Sequence, residues 1–356
     1  MERVLADDAG LEKVAACLLS GGVAVIPTDT VYGLAAHPRF PAAVERLYTI
    51  KARDAKKPIA LLASDAEGAA PFVGAAAAAV GRAHWPGALT VVAEGEGVRV
   101  PDHDWTRRLI ARCGGALRVT SANLSGRRAA TEAKAALADV GLSADLVVDD
   151  GVSKGGVAST VVRVESPSRV TILREGPIRF LTLASASPRR AKILADLGVV
   201  FSVVPSQAEE VAYADDPART VSENARAKGA AVRAKNVLSA DTIVWFNGKI
   251  YGKPRDLDEA KAFLRTLSGQ THTVFTGVAY DGEVEVVKSF VTFRALSEAV
   301  IDGYVRRVNP LDRAGAYDID ESGDFIVASY EGSYENIMGL PIEPLVKWGI
   351  AKGRTI

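Results

Sequence analysis

The chain has 356 residues, of which 48% are hydrophobic and 24% charged, and its 43 basic side chains are balanced by 43 acidic ones. That length is enough for two ordinary domains, each with its own core, and the composition is that of a folded chain without low-complexity tracts. The charge stays close to balanced in both halves when the chain is divided near residue 180, which argues against a polycationic nucleic-acid binder.

The apolar runs and the cysteines of the sequence indicate the cellular compartment. No apolar run reaches the roughly 18–20 residues that a membrane span needs, and the acidic start Met1–Gly10 does not have the pattern of a signal peptide. Cys17 and Cys113 are the two cysteines, and their spacing is not that of a metal site. Such cysteines are typical of buried thiols in a reducing compartment. We therefore expect a cytoplasmic protein with no membrane partner.

Short β-branched runs alternate with alanine-rich helical stretches through the first half of the chain. The predicted strands are Val23–Ile26, Ile59–Leu62, Leu89–Ala93, Leu117–Thr120, Leu146–Val148, Thr160–Val164 and Thr171–Leu173. The predicted helices are Pro41–Ile50, Ala75–Arg82, Trp105–Cys113 and Thr131–Ala138, the last with Thr131 as its N-cap. This alternation predicts a twisted α/β sheet.

The second half has the same style with an unrelated sequence. The predicted strands are Leu181–Ala184, Phe201–Val204, Val237–Val244, Thr273–Tyr280 and Val284–Phe293, with Asp281-Gly282 turning the last pair into a hairpin. The predicted helices are Pro188–Leu197, Pro217–Lys235 and Leu257–Leu267. Only a few residues between Gly176-Pro177 and Leu181 separate the halves. We therefore expect two domains, at residues 1–178 and 179–356.

Small polar side chains and cations in the first half lie at the ends of predicted strands and helices. They are Thr30, Lys51, Arg53, Ser121, Asn123 and Ser159. The end of a strand is where open α/β sheets collect ligands. Each residue alone is equally typical of a turn or a helix end. Together, hydroxyls, an amide and two cations predict a site that holds a nucleotide beside an amino acid.

Five motifs over about residues 10–178 resemble the YrdC family of threonylcarbamoyl-adenylate synthases. They are PTDTVYGL, KARDAKKP, WPGALT with VRVP, TSANLSG, and STVV with LREG. The resemblance implies a YrdC-like twisted α/β sheet with a concave face. It also implies a reaction in which L-threonine, bicarbonate and ATP give threonylcarbamoyl-AMP and pyrophosphate. The carbamoyl group would then pass to a tRNA adenosine, so tRNA and threonylcarbamoyl-transferase proteins are implied partners.

The same resemblance assigns roles to residues. Thr30 and Ser159 would contact threonine, and Mg²⁺ or Mn²⁺ would assist. The ATP would be held by Lys51, Arg53, Lys57, Thr90, Ser121, Asn123 and Arg174. This chemistry requires no side-chain nucleophile, because the protein only positions the reactants and neutralises phosphate charge. Lys51 and Arg53 are therefore the expected catalytic residues.

A second set of polar residues begins after residue 181. Ser185–Arg190 joins a predicted strand to a helix N-terminus, which forms a natural anion site with two added guanidiniums. Asn224 and Lys228 share one face of a helix, and Asp241 belongs to an apolar strand. Carboxylates such as Glu210 and Asp241 among cations are typical of metal-assisted attack of water on a polyphosphate.

From about Leu181 to Trp348 the chain resembles the Maf family of nucleoside triphosphate pyrophosphatases, through these residues and through LSGQTH, AGAY and GSYENIMGLP. The resemblance implies a Maf/ITPase-like two-lobed α/β fold with a deep cleft. It implies cleavage of a nucleoside triphosphate to the monophosphate and pyrophosphate with Mg²⁺ or Mn²⁺. Asp241 would be the general base, and Glu210 with Asp241 would hold the metal. Phosphates and base would be bound by Ser187, Arg189, Arg190, Lys228, Thr242, Lys253 and Asp320. Of these, Arg189, Thr242 and Asp320 would help to select the base.

The choice of nucleotide rests on a few positions. Asp241-Thr242 and the AGAY motif resemble the dTTP/UTP subgroup of the family. Asp320 stands where the family usually has glutamine, and an ionised aspartate only accepts hydrogen bonds, whereas glutamine also donates. We therefore expect altered base choice or reduced activity.

Two other interpretations stay open. In one, the first half is an RNA-binding module and the second a regulatory domain without turnover. Its basis is a local excess of arginines over acidic residues. They are Arg99, Arg107, Arg108, Arg112, Arg118, Arg127 and Arg128, against Asp102 and Asp104. In the other, both halves are active on different substrates, such as another amino acid or a damaged nucleotide.

Overall fold

The computed structural model describes residues 2–140 and 143–351. The chain divides into two compact α/β units, Met1–Arg179 and Phe180–Ile356. Among the described residues, no helix combines the length and the apolar character needed to cross a membrane.

The first unit alternates strands and helices. Its helices are α1 (Asp8–Leu19), α2 (Pro41–Lys51), α3 (Ala66–Arg82), α4 (Asp104–Arg112) and α5 (Ala133–Asp139). Its strands are β1 (Glu2–Leu5), β2 (Val23–Ile26), β3 (Gly33–Ala36), β4 (Leu61–Ala63), β5 (Leu89–Ala93), β6 (Glu96–Arg99), β7 (Ala116–Ser121), β8 (Leu146–Asp149), β9 (Thr160–Ser166) and β10 (Arg169–Arg174).

These strands form one mixed sheet in the order β1-β8-β2-β3-β7-β4-β6-β5-β9-β10. Strand β2 is buried throughout because its alternating side chains enter two different cores. Ala24 and Ile26 pack with residues of α1 and α4, whereas Val23 and Val25 pack with residues of α2 and α5. Helices therefore cover both faces of the sheet around β2, while a cavity lies against the face formed by β5, β6 and β9.

The second unit is built around a longer antiparallel sheet. Its helices are α6 (Pro188–Asp196), α7 (Pro217–Ala230), α8 (Leu257–Leu267), α9 (Glu298–Arg307), α10 (Tyr334–Met338) and α11 (Ile342–Lys347). Its strands are β11 (Leu181–Leu183), β12 (Phe201–Val203), β13 (Val237–Phe246), β14 (Lys249–Tyr251), β15 (Thr271–Tyr280), β16 (Glu283–Phe293) and β17 (Val327–Glu331).

Strand β13 is central to this unit, in a sheet ordered β12-β11-β13-β15-β16-β17. It pairs with β15 along most of its length. On its other edge, parallel pairing with β11 ends at Leu238, and antiparallel pairing with β14 begins at Val244. Asp241 and Thr242 lie in the interval between these two neighbours. The second unit's cavity opens there.

Several predicted boundaries differ from the structure. Thr131 is not an N-cap, because α5 begins at Ala133 behind Glu132, which makes no side-chain capping hydrogen bond. The predicted helix from Ala75 is the second part of α3, which bends at Gly74, where φ is 75°. Helix α7 ends at Ala230, five residues before the predicted end, since the chain must turn before β13 begins at Val237.

Candidate active sites

The first unit contains a cavity of about 990 Å³ on the open face of its sheet. Six of the residues predicted to bind ATP or threonine line it. They are Thr30, Arg53, Thr90, Ser121, Ser159 and Arg174. They come from distant parts of the sequence and from different strands and loops, so the sheet order is what brings them together.

Ser159 is the centre of one cluster in this cavity. Its hydroxyl lies 2.9 Å from Thr90 Oγ1 and accepts a 3.0 Å hydrogen bond from Arg174 Nη2. The guanidinium of Arg174 also donates to the Ser159 carbonyl, at 2.8 and 3.0 Å. Gly176 makes this turn possible, because a Cβ there would lie 2.2 Å from the backbone nitrogen of Thr160. The LREG motif therefore brings Arg174 to Ser159, the residue directly before strand β9.

Three guanidiniums give the cavity a positive field. Burial lowers the pKa of Arg174, and repulsion from Arg99 and Arg53 lowers it further. All three residues line the cavity. A bound anion would relieve the repulsion among these like charges, which is the electrostatic requirement of a phosphate-binding site.

Arg99 is the residue of this site that the sequence analysis missed. It is 5% exposed, forms an ion pair with Asp29, and donates from Nη1 to Thr30 Oγ1 at 2.8 Å. Its Nε donates to the Gly87 carbonyl at 2.8 Å, so Arg99 joins the PTDTVYGL and WPGALT segments. By sequence alone, Arg99 belongs to the local excess of arginines considered for RNA binding. The useful signal was its place in the VRVP motif, where it shares a strand face with Gly97.

Lys51 and Asn123 lie outside the cavity lining. Lys51 is 2% exposed and donates to the carbonyls of Ser121 and Asn123, the latter at 2.5 Å. Burial, with repulsion from Arg53, lowers the pKa of Lys51 to about 8. The Asn123 amide donates to the carbonyls of Leu124 and Arg127, both at 2.9 Å. These two side chains therefore hold the TSANLSG loop from behind.

Lys57 is exposed, also outside the lining, and its carbonyl accepts a 3.0 Å hydrogen bond from Arg53 Nε. Arg53 also donates from Nη2 to the Pro58 carbonyl at 3.1 Å. Main-chain acceptors thus orient the Arg53 side chain at the cavity, while Lys57 contributes its backbone.

The arginine cluster considered for RNA binding is largely neutralised. Five of its seven members pair with acidic residues that lie elsewhere in the sequence or on the same helix, whereas the exposed Arg128 is not among them. The pairs are Arg107–Asp104, Arg108–Asp8, Arg112–Glu12, Arg118–Glu96 and Arg127–Asp139. Phosphate binding at this cluster would have to displace these carboxylates, so the cluster is not a free basic surface.

The second unit contains a cavity of about 490 Å³ beside the middle of β13. Eight of the predicted site residues line it, including both proposed metal ligands. They are Ser187, Arg189, Arg190, Glu210, Lys228, Asp241, Thr242 and Lys253. The residues come from α6, α7, β13, the loops that precede the two helices, and the segment after β14.

Asp241 is 4% exposed and is held from two sides. Lys228 Nζ lies 2.5 Å from its Oδ1, and Asn224 Nδ2 donates to its Oδ2 at 2.9 Å. Both partners lie on α7, four residues apart, so one helix face fixes the carboxylate. Lys228 Nζ also lies 2.8 Å from Glu210 Oε1 and therefore stands between the two carboxylates.

Arg190 uses its guanidinium to join three segments. It donates to Ser185 Oγ at 3.0 Å, to Thr242 Oγ1 at 3.0 Å and to the Gly339 carbonyl at 2.8 Å. Burial lowers the pKa of Arg190. Gly339 has φ of 106°, and a Cβ there would lie 3.2 Å from Thr242 Oγ1, so glycine fits this close approach. Arg190 thus supports the cavity wall as well as lining it.

Asp320 is not brought to the cavity. Its side chain is 44% exposed, accepts a 3.1 Å hydrogen bond from the Tyr334 hydroxyl and lies 3.9 Å from Lys192. Asp318 lines the cavity instead, with 6% of the residue exposed. Asp320, the position where the family usually has glutamine, is therefore not at the site, and the carboxylate two residues before it is.

Comparison with known proteins gives a family for each unit. Residues 180–348 match the model of the Maf family, described as Maf-like protein, and residues 16–176 match that of the Sua5/YciO/YrdC family, described as telomere recombination. The dTTP/UTP pyrophosphatase of Myxococcus xanthus is 46% identical over 171 residues, which cover 46% of this chain and 87% of that protein. The dTTP/UTP pyrophosphatase of Thermosipho melanesiensis is 38% identical over 181 residues, covering 49% of this chain and 98% of that protein.

Among solved structures, P. abyssi Sua5 complexed with L-threonine has a TM-score of 0.48 and 24% identity. The match covers 59% of this chain and 64% of that one, so the chain spans less than two thirds of this relative. E. coli YciO has a TM-score of 0.45 and 21% identity, and the match covers 49% of this chain and 94% of that one.

The two units are thus those of nucleotide-handling α/β enzymes. The chain belongs to the Sua5/YciO/YrdC family through its first unit and to the Maf family through its second. Both resemblances inferred from sequence motifs are confirmed at the level of family and fold class. At that level, a synthase and a nucleotide pyrophosphatase are supported.

Proposed function

We propose that the chain is a bifunctional enzyme. Its first half makes threonylcarbamoyl-AMP and pyrophosphate from L-threonine, bicarbonate and ATP, for threonylcarbamoyladenosine modification of tRNA. Its second half hydrolyses dTTP and UTP to the monophosphate and pyrophosphate. The observation that carries the second activity is Asp241, fixed by Lys228 and Asn224 in a cavity lined with further cations.

In the second unit, Asp241 would act as the general base. Each of its oxygens accepts one hydrogen bond from α7, and a carboxylate oxygen retains a second lone pair that can take a proton from water. Lys228 and Lys253 are the cations that would meet the triphosphate. Their charge would stabilise the negative charge that develops on the phosphates as water attacks.

The donor set at this site fits a divalent cation. Glu210 and Asp241 already share one cation, Lys228 Nζ, at 2.8 and 2.5 Å. The described residues contain no cluster of three or more potential metal-ligating side chains. Mg²⁺ is often held by one or two carboxylates together with substrate phosphates, so Glu210 and Asp241 would be its protein ligands. When bound, Mg²⁺ or Mn²⁺ would neutralise phosphate charge and polarise the attacked phosphate.

In the first unit, the anionic ligands would lie among Arg53, Arg174 and Arg99. Thr30 and Ser159 would contact threonine, with Arg99 orienting the Thr30 hydroxyl through its 2.8 Å hydrogen bond. Mg²⁺ would arrive with the triphosphate of ATP. Lys51 and Asn123 would act by holding the loop that carries Ser121, and Lys57 by its backbone contact with Arg53.

The test is pyrophosphate release by the full-length protein, measured with Mg²⁺ for each nucleoside triphosphate alone and for ATP with L-threonine and bicarbonate. We expect pyrimidine-selective release without threonine, and ATP consumption only when both co-substrates are present. Asp241→Asn keeps the shape of the side chain and removes the base. It should lower UTP hydrolysis by about 10²–10⁴-fold and leave the threonine-dependent reaction unchanged.

Mass spectrometry of the product separates the two activities, since threonylcarbamoyl-AMP and UMP differ in mass. Hydrolysis that survives Asp241→Asn would reject Asp241 as the base. Release from ATP that ignores threonine and bicarbonate would reject the synthase assignment. A protein that turns over nothing but binds tRNA in a salt-dependent way would favour the RNA-binding alternative.

A further inference from the structure

Asp318 is a buried carboxylate in the second unit's cavity that the proposed function does not use. Its Oδ2 accepts a 2.8 Å hydrogen bond from Arg313 Nε and lies 3.6 Å from Arg189 Nη1. Its Oδ1 accepts from the backbone nitrogens of Asp320 and Glu321, at 2.8 and 3.3 Å. Three hydrogen bonds and one longer ion pair therefore engage the two oxygens of Asp318.

This geometry has a chemical consequence for a ligand. An amino group needs a free acceptor, and the acceptor direction of Asp318 that holds no hydrogen bond faces the Arg189 guanidinium. The backbone contacts from Oδ1 also fix the loop at 320–321, in which the Asp320 side chain bonds to Tyr334 rather than to the cavity. The acidic side chains near the AGAY motif therefore do not favour a base that presents a hydrogen-bond donor.

Arg189 offers the opposite chemistry. It is held by Asp318 on one side, and on the other it donates from Nη2 to the Asp312 carbonyl at 3.2 Å. A guanidinium has five N–H donors in a planar fork, and these contacts engage only part of it. Arg189 lines the cavity with 21% of its side chain exposed, so a fixed donor faces ligands.

We propose that Asp318 is a positioning residue for base selection, which acts by holding Arg189 so that its N–H groups meet a carbonyl oxygen on the base. Uracil and thymine present a carbonyl at the edge where cytosine presents an amino group. The inference rests on the proposed pyrophosphatase function and deepens it. It adds Asp318 to the base selection that the Maf resemblance implies for Arg189, and removes Asp320 from that role.

The test compares kcat/KM for UTP and CTP in full-length wild type and Asp318→Asn. An amide at 318 can still accept from the loop, but its NH₂ group would face the two guanidiniums and displace Arg189. We expect the UTP-over-CTP ratio to fall roughly tenfold, the scale of one lost hydrogen bond. A residue that only stabilised the fold would lower both values alike and leave the ratio unchanged.

A second variant keeps the inference testable if Asp318→Asn unfolds. Arg189→Lys retains the positive charge but loses the planar fork, and the same fall in ratio is expected. Asp196→Asn, an exposed carboxylate change on the same helix as Arg189, is the matched control and should leave the ratio within about twofold. A ratio that stays unchanged in the Asp318 or Arg189 variant overturns the inference. So does a ratio that falls in Asp320→Asn instead.

Binding separates this inference from the proposed activity. Calorimetry with the α,β-methylene analogues of UTP and CTP measures base preference without turnover. If wild type hydrolyses no triphosphate but prefers the UTP analogue, and Asp318→Asn abolishes that preference, then the pyrophosphatase proposal fails while the role of Asp318 stands. Equal affinity for both analogues in wild type overturns the role of Asp318 even if hydrolysis is observed.

Discussion

The cations predicted for the two sites differ in whether they face the cavity or hold neighbouring parts of the protein. In the first unit, Arg53 lines the cavity, but Lys51 lies behind it and supports the TSANLSG loop. In the second unit, the adjacent residues Arg189 and Arg190 lie on one helix, and both line the cavity. The guanidinium of Arg190 donates hydrogen bonds to several protein groups, whereas that of Arg189 donates only one. Residues one or two positions apart in a motif therefore divide into scaffold and ligand-facing roles.

The difference teaches that a motif specifies the site as a whole rather than the role of each member. A cation in a motif can have either of two roles. It can donate hydrogen bonds that hold a loop in place, or it can offer its charge to a ligand. Structure separates these roles through hydrogen-bond partners and exposure. Substitutions can then test the separation, because scaffold residues should affect stability and ligand-facing residues should affect binding.

The largest effect is expected from the arginine pair. Arg190→Met removes three hydrogen bonds, to Ser185 Oγ, Thr242 Oγ1 and the Gly339 carbonyl. One hydrogen bond contributes about 1 kcal/mol to stability, so we expect a loss of about 3 kcal/mol in the free energy of unfolding of the second unit. Hydrogen exchange of second-unit peptides measures this loss without interference from the first unit.

Arg189→Met is the matched control for that variant. It should change the stability of the second unit by less than about 1 kcal/mol, since its contacts are one hydrogen bond and one longer ion pair at a partly exposed side chain. Its nucleotide KM should rise instead. Equal destabilisation by the two substitutions would remove the distinction between them.

The corresponding pair in the first unit is Lys51 and Arg53. Lys51→Met removes the donor that joins the carbonyls of Ser121 and Asn123, so we expect a loss of about 2 kcal/mol in the stability of that unit. Arg53→Met should leave stability within about 0.5 kcal/mol and raise the KM for ATP, because its protein contacts are local carbonyls near the surface. Thermal unfolding and the threonine-dependent assay check both. A raised KM with unchanged stability in Lys51→Met would place Lys51 at the ligand.

Much of the fold followed from the sequence because many strands of both units are rich in β-branched residues and bounded by turns. Strands β2 and β5 have the predicted ends. Strand β3 was missed because Gly33–Ala36 consists of small residues without the β-branched signal, and it is a strand only because it pairs with β2 and β7. Tertiary pairing, absent from local sequence, determined that element.

The sites were predictable as sets and not as contacts. The motif residues of the second unit converge because β13 lies beside both the α6 loop and α7. The sequence could not show in which direction each side chain points. Asp318 and Asp320 are two residues apart, so strand periodicity would place them on the same face. The backbone instead turns after Asp318, which places the Asp318 carboxylate at the cavity and the Asp320 carboxylate near Tyr334. Such a turn depends on Arg313 and on backbone hydrogen bonds that no spacing rule records.

The smallest expected effect concerns the His272 of the LSGQTH motif, a scaffold residue behind the second cavity. His272 Nε2 lies 2.9 Å from the hydroxyl of Tyr317, and the ring packs edge-on against Phe293. Burial lowers the pKa of His272 to about 4, whereas an unfolded histidine titrates near 6.5. Between those values the unfolded chain binds more protons, so the second unit loses stability as the pH falls from 6.5 toward 4. A change of one pH unit within this window alters the free energy of unfolding by roughly 1 kcal/mol.

Hydrogen exchange of second-unit peptides at pH 6.5 and 5.5 should show this slope in wild type and a weaker slope in His272→Gln, with His103→Gln in the first unit as the control. An equal slope in the His272 variant would mean that another group carries the acid sensitivity.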